Sequence, residues 1–283
     1  MIGYMPIIYP DELVYSWLSR WKSHCGYCAV RGNRTISAEF AVKFTEEVKD
    51  ALQNRYGDTN SFLWQHTMIP YYVRFTDVYT RNAALSRLKR NGKLDLASFM
   101  LLNHVTNRYI RYCPMCAIED HEKYGESYFR RSHQLWDVSV CIEHSCKLLH
   151  TDINISRAML KPPDILIQNE IMADESCNIF QKDYSRYVVT AFKDSDIDTT
   201  IDYARYFQHF SDRYTLWHSH LTDYERIATD LHTFYAGNIY VPEARQIKTV
   251  INEDRFDTRI ILLLQYMISR QTDIGFPRPL PYP

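Results

Sequence analysis

Glycine is scarce in this 283-residue chain, at only 8 residues, which argues against a fold assembled from many tight turns. No run of 18 apolar residues occurs, so no segment is expected to cross a bilayer as a helix. Residues 1–10 hold neither a basic start nor a small-residue cleavage site, and the expected location is cytoplasmic, with no membrane partner. Enzyme signatures are missing as well: the chain has no Gly-x-x-x-x-Gly-Lys phosphate loop, no Gly-x-Ser-x-Gly elbow and no His-Glu-x-x-His helix. A zinc deaminase would need an upstream His-x-Glu, which is lacking. Catalysis is therefore not expected.

What is present fits a tightly packed, helix-rich protein of more than one domain. Hydrophobic residues make up 46% and charged residues 24%, and there are 22 tyrosines. Seven cysteines, four of them in two Cys-x-x-Cys pairs, suit a reducing compartment and metal binding better than a disulfide framework. The net charge of −1 argues against a general nucleic-acid binder. The distribution is uneven, however. Between residues 81 and 111, Arg81, Arg87, Lys89, Arg90, Lys93, Arg108 and Arg111 stand against Asp95 alone, whereas residues 164–202 carry nine acids and three bases. One face can thus meet phosphate while another meets water or a protein.

Apolar periodicity predicts a series of short helices in the first hundred residues. Asp11 is the expected N-cap of a helix carrying Leu13, Val14, Trp17, Leu18 and Trp21 and stopping near Gly26. Ser37 is expected to cap a second, with Phe40, Ala41, Phe44, Val48 and Leu52 inward and Gly57 beyond its end. Asp77 is expected to cap a third that ends at Gly92, and Asp95 to open a fourth. Such a series suggests a helix-turn-helix type cluster over residues 1–108. Tyr109–Tyr112 reads as a strand, residues 109–155 as a small α+β zinc-finger module, and residues 156–283 as a helical domain. In that last part Thr222–Tyr235 is amphipathic, Arg255–Arg270 reads as a buried helix, and the proline-rich Phe276–Pro283 cannot continue it.

The strongest chemical signal is Cys113-Pro114-Met115-Cys116 together with Cys141-Ile142-Glu143-His144. Two pairs of soft ligands at this spacing supply three thiolates and one imidazole, a closed tetrahedral zinc set that staples structure and leaves no position for a reacting water. One structural Zn2+ is expected. Between the pairs, His133, Arg130 and Arg131 can orient the ligands, contact phosphate or simply pack. Cys25 and Cys28 also form a pair, but the partners they would need, Cys146 or Cys177, stand at no recognisable spacing, so a second metal site is not expected. Arg87, Lys89 and Arg90 fall opposite the apolar stripe of their helix, beside Asn82 and Ser86. That mix can reach phosphates and base edges, and it is also what an ordinary solvated helix face carries.

Taken in order, these stretches resemble the TniQ/TnsD target-selection proteins of heteromeric transposons. The opening Pro10-Asp11-Glu12-Leu13-Val14-Tyr15-Ser16 followed by Arg20 is similar to that family's start. Tyr112–Cys116, then Tyr124–Leu135, then Val140–His144 with Leu148 and Leu149 continue the resemblance across residues 5–150. Gln65-His66-Thr67-Met68-Ile69-Pro70-Tyr71-Tyr72 looks like a stretch of the TnsD branch, and Arg259–Phe276 with the prolines after it resembles a TnsD segment that precedes further cysteines. The resemblance implies a non-catalytic adaptor that binds a chosen double-stranded DNA site and recruits the transposon's AAA+ ATPase regulator. It equally admits a bridge between a CRISPR RNA-guided complex and that ATPase, without DNA reading of its own. Arg87, Lys89, Arg90, Arg130 and Arg131 are the candidate DNA contacts under the first reading.

Overall fold

A computed structural model describes residues 4–26, 36–40, 44–91, 109–166, 173–193, 212, 214–216, 221–252 and 257–270. Gly92, the helix expected from Asp95, Cys28 and the proline-rich Phe276–Pro283 lie outside them. The fold is mainly helical, with a small β-hairpin that carries the metal-ligand cluster and a helical C-terminal region. No helix among the described residues is long and apolar enough to cross a membrane.

Helix α1 (Val14–Cys25) buries Val14, Trp17, Leu18 and Trp21 at the spacing that the sequence displays. It stops where Gly26 takes a left-handed φ of 67° and donates its N–H to the Lys22 carbonyl at 2.9 Å. Asp11 does not cap this helix. Leu13 precedes it without a side-chain cap, and Asp11, at φ 57°, accepts the Ser132 N–H at 3.0 Å and pairs with Arg131. A long-range partner has taken the carboxylate that local pattern assigned to the helix end.

The second helix also starts later than its apolar spacing predicts. Residues 38–40 form a bend held by Ala38 N–H to Ile155 carbonyl at 2.8 Å, next to an Ile36–Ala158 bridge. Thr45 then caps α2 (Glu46–Tyr56), which ends at Gly57 as expected. Asp58 caps α3 (Thr59–His66), and a short α4 (Ile69–Tyr72) follows. Asp77 does cap α5 (Val78–Asn91), its carboxylate accepting the Thr80 N–H at 2.9 Å.

Strand β1 (Tyr109–Tyr112) pairs antiparallel with β2 (Leu149–Asn154), matching Arg111 with His150 and Tyr112 with Leu149. Between them runs α6 (Pro114–Tyr124), a helix hidden in the sequence by its cysteines. The C-terminal region comprises α7 (Pro163–Leu166), α8 (Ile179–Lys193), α9 (Tyr224–Tyr235), α10 (Ala244–Asn252) and α11 (Thr258–Arg270). Helix α11 is buried from Thr258 through Leu264. One continuous set of buried side chains extends from Leu13 to Ile268. Polar ties cross the expected boundaries at residues 108 and 155: Arg259 of α11 pairs with Asp137, and the Thr258 hydroxyl donates to the Tyr72 carbonyl at 3.4 Å.

Candidate metal centre

Strand β1 delivers Cys113 to the N-cap of α6, where its sulfur accepts the Cys116 N–H at 3.4 Å. Pro114 occupies the first helical position, where its missing N–H costs nothing. Cys113 and Cys116 therefore flank the amide-rich start of a helix, a place that favours thiolate over thiol. Cys141 and His144 come from a tight loop. Cys141 N–H donates to the Cys146 carbonyl at 2.9 Å, Ser145 N–H donates to the Cys141 carbonyl at 2.8 Å, and Ser145 takes φ 55°.

These elements bring the four expected donors together, all ligand atoms lying within 4.8 Å of one another. His144 Nδ1 stands 3.5 Å from Cys113 Sγ, 3.3 Å from Cys116 Sγ and 3.7 Å from Cys141 Sγ, and Cys116 and Cys141 sulfurs are 3.7 Å apart. A tetrahedral zinc with Zn–S of about 2.3 Å and Zn–N of about 2.0 Å has edges of roughly 3.8 Å and 3.5 Å. The cluster thus fits one four-coordinate ion, and three soft thiolates with an imidazole suit zinc. Held by these four protein ligands, such an ion would brace β1, α6 and the loop at 141–146.

Neighbouring side chains orient the set. Glu119, one turn along α6 from Cys116, lies 2.9 Å from His144 Nε2. His133 is buried against the Cys141 sulfur, and burial lowers its pKa, favouring the neutral ring. Cys146 is buried with its sulfur 3.4 Å from that of Cys113. Sequence reading missed Glu119 and Cys146 at the centre. A helix starting at Pro114 is the signal that places Glu119 three residues after Cys116, on the ligand side.

The basic residues separate into two groups. Arg87, Lys89 and Arg90 are exposed on α5 with Asn82 and Ser86, opposite the buried Ala84 and Leu88. Val78 and Tyr79 extend that surface at the start of the helix, Tyr79 being 84% exposed. Arg130 and Arg131 instead turn inward. Arg130 forms a two-pronged pair with Asp120 of α6 and lies over the Tyr128 ring. Arg131 pairs with Asp11 and donates to the Trp64 and Thr67 carbonyls at 3.0 and 3.2 Å. Arg81 and Arg111, part of the same basic run in sequence, also donate to backbone carbonyls. Lys93 and Arg108 lie outside the described residues.

Comparison with known proteins places this arrangement in context. The TniQ family model matches residues 4–148, a span that contains α1 through the metal centre. Over 152 residues the chain is 26% identical to the transposon Tn7 transposition protein TnsD of Escherichia coli. That match covers 49% of this chain and 30% of the relative's length.

Proposed function

Since the chain belongs to the TniQ family, we propose that it is a non-catalytic target-selection adaptor of transposition that binds double-stranded DNA and recruits the transposon's AAA+ ATPase regulator. The observation that carries the DNA part is the outward face of α5. Arg87, Lys89 and Arg90 form no ion pair with another described residue, and they share the exposed face with Asn82 and Ser86. Arginine and lysine hold phosphate, while Asn and Ser reach base edges. Zinc bound by Cys113, Cys116, Cys141 and His144 has a structural role in this reading, as four protein ligands leave no open position.

The test is binding of the purified chain to a panel of candidate attachment-site duplexes at several salt concentrations. Tight binding to one duplex over a weak background supports direct reading. Arg87→Ala, Lys89→Ala and Arg90→Ala should each weaken binding to all duplexes, with the log–log salt slope falling by about one per lost phosphate contact. Equal, weak binding to every duplex moves the assignment to the second reading, a bridge between an RNA-guided complex and the ATPase. The net charge of −1 favours that second reading, and pull-down of the ATPase without DNA tests it.

A further inference from the structure

Helix α10 is sharply two-sided. Ala244, Ile247, Val250 and Ile251 are buried in the same core as α9 and α11. Arg245, Lys248 and Asn252 are exposed, with Thr249 half-buried, and helical spacing sets these four on one face. No carboxylate lies within the helix. Neighbouring helices differ. Arg186 of α8 and Arg270 of α11 both pair with Asp183, at 3.4 and 3.7 Å, and α9 carries Glu225 and Asp230 with its Arg226. Arg245 and Lys248 form no ion pair with another described residue. Gln246 serves the start of the helix, its side-chain oxygen accepting the Glu243 N–H at 2.9 Å.

The face is also held in place. The Tyr224 hydroxyl donates to Asn252 Oδ1 at 2.7 Å. Arg259 donates to the Tyr240 carbonyl at 3.1 Å and pairs with Asp137, which fastens the segment leading into α10 to the chain between the two ligand pairs. A fixed, acid-free strip bearing two cations and an amide is complementary to a row of phosphates, where Arg and Lys neutralise charge and Asn adds donors. We infer that the outward face of α10 is a second contact for the backbone of double-stranded DNA. It lies on a different helix from the α5 face and outside residues 4–148, the stretch on which family membership rests.

This inference rests on the proposal that the chain binds duplex DNA, and the experiment separates the two. Binding of the full chain to a long mixed-sequence duplex is followed by fluorescence anisotropy at several salt concentrations. Arg245→Ala with Lys248→Ala should lower the log–log salt slope by about two and weaken binding roughly 50-fold at 0.1 M salt. Zinc content and melting should stay unchanged, because both side chains are exposed. Should that variant unfold, Arg245→Gln with Lys248→Gln is read by the same criterion. Arg245→Lys with Lys248→Arg keeps both charges and should keep the wild-type slope; a loss equal to that of the alanine pair would make the role structural and overturn the inference. Arg87→Ala with Arg90→Ala is measured in parallel. A slope lowered there but unchanged in the α10 variants overturns the α10 contact and leaves the α5 reading standing. The reverse result supports α10 and moves the DNA contact to it. A wild-type chain that binds no duplex overturns the DNA reading, and this inference with it.

Discussion

His144 and Glu119 form a carboxylate–imidazole pair at 2.9 Å on the far side of the ring from the three sulfurs. The pair fixes the tautomer: Nε2 carries the proton and donates to Glu119, leaving Nδ1 free to bind metal. It also ties the loop at 141–146 to α6 through a bond that needs neither the ion nor the backbone.

Removing the carboxylate should therefore loosen the metal without unfolding the chain. Glu119→Gln is expected to weaken zinc binding by about 10-fold, the low end of such effects because Glu119 is largely exposed. Competition against a chromophoric chelator gives the number. An unchanged affinity would mean that the loop alone orients the ring.

Ser145 is strained where glycine would not be. Its φ of 55° puts Cβ close to the following carbonyl, a geometry that disfavours most side chains. Its side chain carries none of the bonds that hold the loop, which come from its backbone N–H to Cys141 and its carbonyl from the Cys177 thiol at 2.9 Å. Ser145→Gly is expected to raise stability by about 0.5–1 kcal/mol, after the greater backbone freedom of unfolded glycine is set against the relieved strain. Denaturant midpoints of the zinc-loaded proteins would measure it.

The parts legible in the sequence are those encoded locally. Ligand spacing gave Cys113, Cys116, Cys141 and His144, apolar spacing gave α1 and α11, and Asp77 announced α5. The parts that stayed hidden depend on partners far along the chain. Nothing near Asp11 indicates that Arg131, 120 residues away, will claim it, and nothing marks Arg130 as belonging to Asp120 on a helix not yet recognised. A basic dipeptide in a loop reads as surface until its carboxylates are located. Cys146 has no regular spacing that would assign it to this neighbourhood, while the Cys141 N–H bond to its carbonyl brings it beside Cys113.

Arg20 shows how strong such a buried pair can be. Its Nε and Nη2 donate to the two oxygens of Glu12 at 2.9 and 2.8 Å, a further nitrogen meets Glu126, and its guanidinium lies over the Tyr9 ring. Both Arg20 and Glu12 are almost entirely shielded, and burial alone pushes the Glu12 carboxyl toward its neutral form. Arg20→Ala strands that carboxylate and should cost about 3–5 kcal/mol. Arg20→Lys keeps the charge but not the planar fork, and should restore less than half of the loss. Replacing both partners with apolar residues, as in Arg20→Met with Glu12→Leu, should be milder than Arg20→Ala alone, and equilibrium unfolding would rank the three.

Glu39 provides a pH signature of the core. It is buried, accepts the Tyr72 hydroxyl and feels Arg111, yet burial outweighs both and raises its pKa from 4.5 to about 7. Between those values the folded chain binds a proton that the unfolded chain has lost, so this group's contribution to stability falls as pH rises through the window. The full effect is at most about 3 kcal/mol, from 1.36 kcal/mol per pKa unit. His66 acts in the opposite direction: burial lowers its pKa from 6.5 to about 4, so its contribution is complete above 6.5 and declines as pH falls toward 4. Glu39→Gln keeps an acceptor for Tyr72 and removes only the first effect. With zinc held constant, the variant should gain on wild type from pH 5 to about pH 7 in denaturant midpoint and level off above it. Parallel curves would mean that Glu39 titrates as it does in the unfolded chain, and that its burial is relieved by solvent or by Arg111.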